Sequence, residues 1–166
     1  MNPHWTHPHY GKQFLEQFDR LAPAVDHWLV TSRYVGGQLA GYLDRQKLPH
    51  PQIDTIPMGW PAPLPAQDDD GVLAKYSLER QRFLLHVGTV EPRKNLDGLF
   101  DALALLRPDP AVAALPCVLV GRDGWRSETI RQRLKDDPWL ASRVMWIKDA
   151  ADGDLAALYR SARFTV

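Results

Sequence analysis

Cysteine is nearly absent from this chain of 166 residues, and neither sign of charge is in excess. The single thiol, Cys117, excludes an internal disulfide and fits a reducing compartment, and its apolar neighbours in "LPCVLVG" predict a small core residue. Lys plus Arg and Asp plus Glu number 20 each. The basic excess typical of nucleic-acid-binding proteins is therefore missing, and we expect no nucleic-acid partner.

Long apolar runs are also missing. No run approaches the ~20 residues of a membrane-spanning helix. The start of the chain, "MNPHWTHPHY", lacks the cationic and apolar regions of a signal peptide. We therefore expect a cytoplasmic protein, with peripheral attachment to the inner face of a membrane as the alternative.

Several familiar motifs do not occur. No turn fits G-x-G-x-x-G, which disfavours an ordinary dinucleotide fold, and no P-loop is present. His4, His7 and His9 lack a nearby Cys or acidic partner, so we expect no metal site there. The acidic run 68–70 is interpreted as a solvated linker face, and His86, inside an apolar run, as a core histidine with satisfied hydrogen bonds.

A proline-rich connector, "PMGWPAPLPAQDDDG", divides the chain. Such proline density is typical of an extended segment and not of a core element. Before it, "VDHWLVTS" predicts a short strand, "RYVGGQLAGYLDRQ" a helix, and residues 53–56 a second short strand. The predicted units are therefore residues 1–65, which include the prolines of the connector, and residues 66–166.

After the connector, strand and helix patterns alternate. The predicted strands are "RFLLHVG", "CVLVG", "RVMWIKD" and "RFTV". Between them come three predicted helices, "NLDGLFDALALL" with Asn95 as N-cap, "SETIRQRLKDD" with Ser127 as N-cap, and "DGDLAALYRSA". In the first helix, Leu106 belongs to the predicted apolar face. This βαβαβαβ order predicts an α/β fold: a Rossmann-like parallel sheet with flanking helices and right-handed crossovers.

In an open parallel sheet, ligands bind beyond the carboxyl ends of the strands. Three turns occupy that edge: residues 88–94, residues 121–125 and the residues after Ile147. In the first turn, Arg93 and Lys94 stand at a helix start, where the helix dipole disfavours cations. A bound anion, of which a diphosphate is the natural example, explains the pair. The alternative is a pair of surface cations bound to Glu91 or Asp97.

The second turn, "VGRDGWRSE", offers another cation, Arg122, and a large aromatic ring, Trp125. An exposed Trp125 could pack on a nucleotide base or on the wall of a cleft. A buried Trp125 would anchor the following helix. The sequence leaves both interpretations open, with the buried one slightly favoured.

Three separated motifs, "VGTVEPRKN", "LVGRDGW" and "DLAALYRSAR", occur in an order that resembles a known family. Residues 83–166 resemble the carboxyl-terminal domain of retaining GT-B glycosyltransferases of the "glycosyl transferases group 1" family. The earlier "VDHWLVTSRYVGGQLAGYL" resembles the family's passage between its two domains. The resemblance implies that residues 1–65 are the tail of an amino-terminal domain plus linker. It also implies that residues 66–166 are a nucleotide-sugar-binding domain, truncated at its carboxyl end.

The resemblance implies a nucleotide-sugar donor, such as a GDP- or UDP-sugar, and a glycan or lipid-linked acceptor. It favours sugar transfer in polysaccharide or lipopolysaccharide assembly, with a mannosyl-type donor and no metal or other cofactor. Arg93 and Lys94 would act catalytically by neutralising the diphosphate. The implied donor-binding residues are Gly88, Thr89, Arg93, Lys94, Asn95, Gly121, Arg122, Trp125, Lys148 and Asp149.

Two departures from the family pattern bear on these expectations. Many members carry an arginine where this chain has Thr89, and Arg93 is the candidate to replace it. The family also continues past the last strand with a segment that grips the sugar and the phosphate, whereas this chain stops at Val166. We therefore expect a fragment that is inactive alone. The alternatives are a non-catalytic nucleotide-sugar-binding module, or a sugar-nucleotide epimerase or phosphorylase of the same fold.

Overall fold

The structure is a computed structural model that describes residues 8–59 and 68–166. The chain divides into two compact units, residues 1–63 and 64–166. Most of the proline-rich connector, together with His4 and His7, lies outside the described residues. None of the helices in the described ranges is long and apolar enough to span a membrane.

The first unit pairs two helices with two strands. Its elements are α1 (Pro8–Leu21), a 3-10 turn (Ala22–Ala24), β1 (His27–Val30), α2 (Arg33–Gln46) and β2 (Gln52–Thr55). The strands are parallel, with His27 opposite Gln52. The Ser32 hydroxyl caps α2 by accepting a hydrogen bond from the Val35 amide at 3.2 Å. The predicted strands and helix are present, whereas α1 was not predicted.

The second unit contains the predicted alternation plus three additional helices. Its strands are β3 (Leu84–Val87), β4 (Cys117–Val120), β5 (Val144–Ile147) and β6 (Phe164–Thr165). Its helices are α3 (Asp69–Lys75), α4 (Leu96–Leu105), α5 (Pro110–Ala113), α6 (Ser127–Asp136), α7 (Pro138–Arg143) and α8 (Asp152–Ser161). A 3-10 turn covers Pro92–Lys94.

The four strands of the second unit form one parallel sheet in the order β5-β4-β3-β6. The chain builds outward from β3 to β4 and β5, and then returns to the other side of β3. The strand order therefore reverses between β3 and β6. Ligands of open parallel sheets bind at such a reversal, beyond the carboxyl ends of the strands. The predicted α/β fold with a parallel sheet and flanking helices is confirmed.

Alternate residues of the strands supply the two apolar cores on the two faces of this sheet. On one face, Leu84 and Leu119 pack with Phe100 of α4, which is fully buried. On the other face, Leu85 and Val118 pack with Leu158 of α8. Cys117 is buried as predicted, and burial raises the pKa of its thiol to about 12. The thiol is therefore a core group and not a reactive one.

Of three local predictions in the second unit, one is confirmed and two are wrong. Asn95 is the N-cap of α4 as predicted, with a left-handed φ of 50° and no capping hydrogen bond from its side chain. Ser127 is the first residue of α6 and is buried, while Arg126 holds the cap position. Leu106 follows the end of α4 and is 45% exposed.

The acidic run 68–70 was interpreted as a solvated linker face, and this interpretation is wrong for two of its three residues. Asp68 caps α3 by accepting a hydrogen bond from the Gly71 amide at 3.0 Å. Asp69 binds the Arg160 guanidinium of α8, with an Nη2–Oδ1 distance of 2.6 Å. The run therefore starts a helix and ties it to α8.

Candidate functional site

The turns after β3 and β4 form one structure at the carboxyl edge of the sheet. The Val90 amide donates to the Arg122 carbonyl, and the Gly124 amide donates to the Val90 carbonyl, both at 3.0 Å. Val90 also forms a parallel bridge with Asp123. These bonds extend the β3–β4 pairing beyond the strands. The two turns that the sequence predicted to share an edge are therefore held together by the backbone.

Glycine is required at two positions of this edge. Gly88 and Gly121 have φ values of 155° and 150°, which side chains disfavour. A Cβ added to Gly121 would lie 2.1 Å from the Gly88 carbonyl oxygen. The two backbones thus approach each other too closely for any side chain at residue 121.

Lys94 folds back over the first turn. The residue is half-buried, and a Cβ on Gly88 would lie 3.1 Å from its Cε and 3.3 Å from its Nζ. Among the described residues, no carboxylate lies within ion-pair distance of the Lys94 ammonium. Its charge is therefore available to an anion at the sheet edge.

Arg93, unlike Lys94, has a carboxylate partner. Its Nε forms an ion pair with Glu91, whose side chain is only 13% exposed, while the Arg93 side chain is 56% exposed. This arrangement matches the alternative interpretation of Arg93, a surface cation bound to Glu91. Its proposed contact with a diphosphate stays a prediction.

The remaining predicted residues of the first turn are exposed. Thr89 packs its methyl group close to Gly124, because a Cβ on Gly124 would lie 2.7 Å from the Thr89 Cγ2. Asn95 is exposed in its left-handed conformation. These residues can offer a ligand the uncharged hydroxyl of Thr89 and the side-chain amide of Asn95, whose backbone groups are already hydrogen-bonded.

In the second turn, Arg122 is exposed, and no ion pair is described for it. Trp125 is half-buried, and the Arg126 guanidinium lies 5.3 Å from the centre of its ring. The slightly favoured prediction of a buried Trp125 is therefore only partly met. One face of this aromatic ring carries a cation within cation–π distance.

Asp123 is the hub of a network that the sequence analysis missed. Its carboxylate accepts a hydrogen bond from Lys148 Nζ at 2.7 Å and also binds Arg131. The hydrogen bond from Lys148 is the main cause that holds the pKa of Asp123 below its usual value, with a further hydrogen bond from Ser127. The network fixes Lys148 at the edge. The signal in the sequence was Asp123 itself, an acidic residue among cations in a ligand-facing turn.

Trp146 joins this network from β5. Its indole Nε1 donates a hydrogen bond to the Gly121 carbonyl at 2.8 Å, and Lys148 Nζ lies 4.9 Å from the centre of its ring. Lys148 is thus positioned by a carboxylate and an aromatic face together. Asp149, the next predicted residue, is exposed.

His86 lies under the edge and departs from its predicted role. It is 8% exposed, and its Nδ1 lies 3.0 Å from the Val166 carbonyl oxygen. Its Nε2 is buried without a hydrogen-bond partner, so the prediction of a fully satisfied core histidine is wrong. Burial lowers the pKa of His86 from its usual value, and the Lys94 ammonium lowers this pKa further.

In chemical terms, this edge can hold an anion. Lys94 and Arg122 carry positive charge without a carboxylate partner among the described residues. The Gly88 and Gly121 amides beside them already donate to backbone carbonyls. Within the described ranges, no group of three His, Cys, Asp or Glu side chains could hold a metal ion.

Comparison with known proteins identifies several relatives, although no family model matches the chain. It is 38% identical over 95 residues to the O-antigen chain mannosyltransferase B of Escherichia coli, a match that covers 55% of this chain and 24% of that protein. It is 31% identical over 77 residues to the serotype-specific mannosyltransferase WbdA of Escherichia coli, of which the match covers 9%. The chain therefore spans a quarter or less of the length of these curated relatives.

Two solved structures resemble nearly the whole chain. A sucrose-phosphate synthase from Thermosynechococcus elongatus matches 93% of this chain with 21% identity and a TM-score of 0.64, over 37% of its own length. A UDP-forming trehalose-phosphate synthase from Burkholderia xenovorans matches 97% with 15% identity and a TM-score of 0.69, over 44% of its length. This likeness shows the fold, an α/β arrangement of the GT-B type. The sequence relatives named above are glycosyltransferases.

Proposed function

We propose that this chain contributes the donor-binding part of a retaining glycosyltransferase that uses a GDP- or UDP-sugar. The observation that carries the proposal is the position of the Lys94 ammonium. This group lies over Gly88, without a described carboxylate partner, at the point where the strand order reverses. A diphosphate is the ligand chemistry that this position suits, since a cation without a described carboxylate partner stands beside the amino end of α4.

The catalytic role follows from the chemistry of the leaving group. When the glycosidic bond of a nucleotide sugar breaks, negative charge develops on the nucleoside diphosphate. A preorganised cation lowers the free energy of that charged state without a reorganisation cost. Lys94 would supply this charge, and the amino end of α4 would add its dipole. Lys148 would meet the nucleotide near the base, and Trp125 would offer a ring to it.

The relatives support a narrower version of the proposal. The mannosyltransferases to which this chain is similar favour a mannosyl donor and an acceptor that is a growing glycan or a lipid-linked saccharide. We propose that the reaction belongs to polysaccharide or lipopolysaccharide assembly in the cytoplasm, with peripheral contact at the inner face of the membrane. The activity is proposed for the complete protein, to which this chain would contribute as an inactive part.

A lysine substitution tests the proposal. In the complete protein, Lys94→Ala should lower kcat/KM for transfer from GDP-mannose or UDP-glucose by about 10²–10³, the cost of removing one preorganised electrostatic group. Its melting temperature should change little, because Lys94 makes no described ion pair. Arg93→Ala should cost less, because Glu91 already binds that guanidinium.

The control is Lys135→Ala, which removes an exposed lysine on α6. It should leave transfer unchanged. Full activity in Lys94→Ala would refute the proposed role of the turn. Tight binding of a nucleotide sugar without any transfer would indicate a binding module in place of an enzyme, and NMR of the anomeric proton of the product would test retention.

A further inference from the structure

The imidazole of His86 is the one buried polar ring at the candidate site whose hydrogen bonding is incomplete among the described residues. Because the Val166 carbonyl can only accept, the contact at 3.0 Å requires the proton on Nδ1. In the neutral ring Nε2 is then an acceptor, and it is buried without a donor. A buried polar atom without a partner costs free energy. A ligand that pairs with Nε2 would relieve this cost.

Among the described residues, Lys94 is the charged side chain that acts on the ring. His86 pairs in register with Leu119 of β4, and Val166, the residue after β6, contributes its carbonyl. The turn after β3 contributes Lys94, whose ammonium disfavours the protonated ring. The carboxylates of α4, Asp97 and Asp101, are bound to Arg133. No acidic side chain among the described residues forms a hydrogen bond or ion pair with the ring.

We propose that His86 is a further binding residue of the diphosphate site, which takes up a proton on Nε2 when the diphosphate binds and then donates that proton to a phosphate oxygen. The inference rests on the proposed function, since it needs an anion at Lys94. Before binding, burial and the Lys94 ammonium lower the pKa of the ring, against the hydrogen bond to Val166, which raises it, and so favour the neutral form. A bound diphosphate neutralises Lys94 and supplies the acceptor that a protonated Nε2 requires.

The proton comes from solvent, and no bond other than the N–H bond forms. Nδ1 keeps its proton and its bond to the Val166 carbonyl in both states. The edge thus gains one further positive charge only when an anion is present. Because binding and proton uptake are linked, the affinity for the anion should increase as the pH falls through the pKa of the bound state.

Calorimetry of nucleotide-sugar binding to the complete protein tests this inference. The probes are GDP-mannose and UDP-glucose, because a diphosphate esterified at both ends lacks the monoester proton with a pKa near ~6. Titrations at pH 6 and pH 8, in buffers of different ionisation enthalpy, give the number of protons taken up. We expect uptake of a substantial fraction of a proton at pH 6, and roughly threefold tighter binding than at pH 8, as follows when binding raises the pKa of His86 by about one unit.

His86→Gln is the matched variant, because its amide retains hydrogen-bonding capacity but does not titrate. It should bind within about threefold of the parent at pH 8 and lose both the proton uptake and the gain in affinity at pH 6. If the variant does not fold, the parent itself provides the test. The ¹⁵N shift of the His86 Nε2 should change to that of a protonated ring when the nucleotide sugar is added at pH 6.

The outcomes separate the two proposals. Unchanged proton uptake in His86→Gln, or a ring that stays neutral in a saturated complex, would overturn the role of His86 and leave the diphosphate site intact. Binding that survives unchanged in Lys94→Met would overturn both proposals, because the anion would then lie elsewhere.

Discussion

The two units of the chain differ in how completely their strands are covered. In the second unit, both faces of a four-stranded parallel sheet carry helices, and residues such as Leu85, Leu119 and Phe100 are fully buried. In the first unit, two parallel strands carry few buried side chains, and Leu29 of β1 is 62% exposed. Parallel sheets are normally covered on both faces. The comparison indicates that the second unit carries its own core.

The first unit combines aromatic contacts with a few buried aliphatic side chains such as Leu43. The rings of Phe18 and Trp28 stack at a centroid distance of 5.2 Å, and Phe18 meets Tyr42 edge-on at 5.5 Å. Such pairs contribute about 0.5–1.5 kcal/mol each beyond the area they bury. The aliphatic layers of the second unit are larger. Each side chain buried in them adds about 1.5–3 kcal/mol to the stability. We therefore expect unequal stability in the two units.

Among substitutions that compare the stability of the two units, Phe100→Ala should have the largest effect. Removing a fully buried ring from the second unit should cost about 3–5 kcal/mol of its unfolding free energy. Phe18→Ala, in the first unit, should cost about 1–2 kcal/mol, since that ring is half-buried. Hydrogen exchange followed by mass spectrometry would assign each loss to its unit. Equal losses in the two variants would break the comparison.

A smaller effect is expected at the glycines. Gly121→Ala should destabilise the second unit by about 2–4 kcal/mol, because its Cβ would meet the Gly88 carbonyl at 2.1 Å. Gly37→Ala in α2 has open space around its Cβ and should stabilise the first unit by about 0.5–1 kcal/mol. Urea denaturation of both variants is the measurement. A stable Gly121→Ala protein would show that the two turns can separate.

The smallest effect concerns the acidic side of the pH range. Asp154 accepts hydrogen bonds from Lys75 at 2.5 Å and Tyr76 at 2.7 Å, and these bonds, led by that of Lys75, hold the pKa of Asp154 below its usual value. A lowered carboxyl pKa contributes stability above the unfolded-state pKa, near ~4, and this contribution is lost as the pH falls through the folded-state pKa.

Asp154→Asn should therefore cost about 1 kcal/mol at pH 7 and flatten the loss of stability below pH ~4. The matched variant in the first unit is Asp54→Asn, which removes a pair with His27 whose side chains are 50% and 44% exposed. Its effect should be within about 0.5 kcal/mol, as for other exposed pairs. Melting curves between pH 3 and pH 7 would compare the two, and an equal acid dependence in both variants would argue against a role for the α3–α8 contacts.

The strands were predictable because each is a short apolar run, and these runs alternate along the sequence with helical patterns. β3 and β4 are examples, both bounded by a glycine that the turn geometry requires. The helix α7 was not, since "PWLASR" has six residues and too little periodicity to stand out. The predicted cap of α6 was wrong for a different reason. Ser127 is a residue type that caps helices, but Arg126, with a left-handed φ of 55°, holds the cap position.

For the candidate site, the sequence predicted which turns meet but not how their charges pair. Glu91 near Arg93 was an open alternative, and the structure contains that ion pair. The bond between Asp123 and Lys148 joins residues 25 positions apart, and no local pattern reports it. The unpartnered Nε2 of His86 depends on packing around a ring that the sequence describes only as part of an apolar strand.

The indole of Trp146 touches both the Gly121 backbone and the Lys148 ammonium, which gives the edge a built-in optical reporter. The chain contains six tryptophans, so a variant that keeps only this one would isolate its emission. A change in the polarity next to the ring, such as an arriving phosphate group would cause, would then appear directly as a shift in fluorescence wavelength.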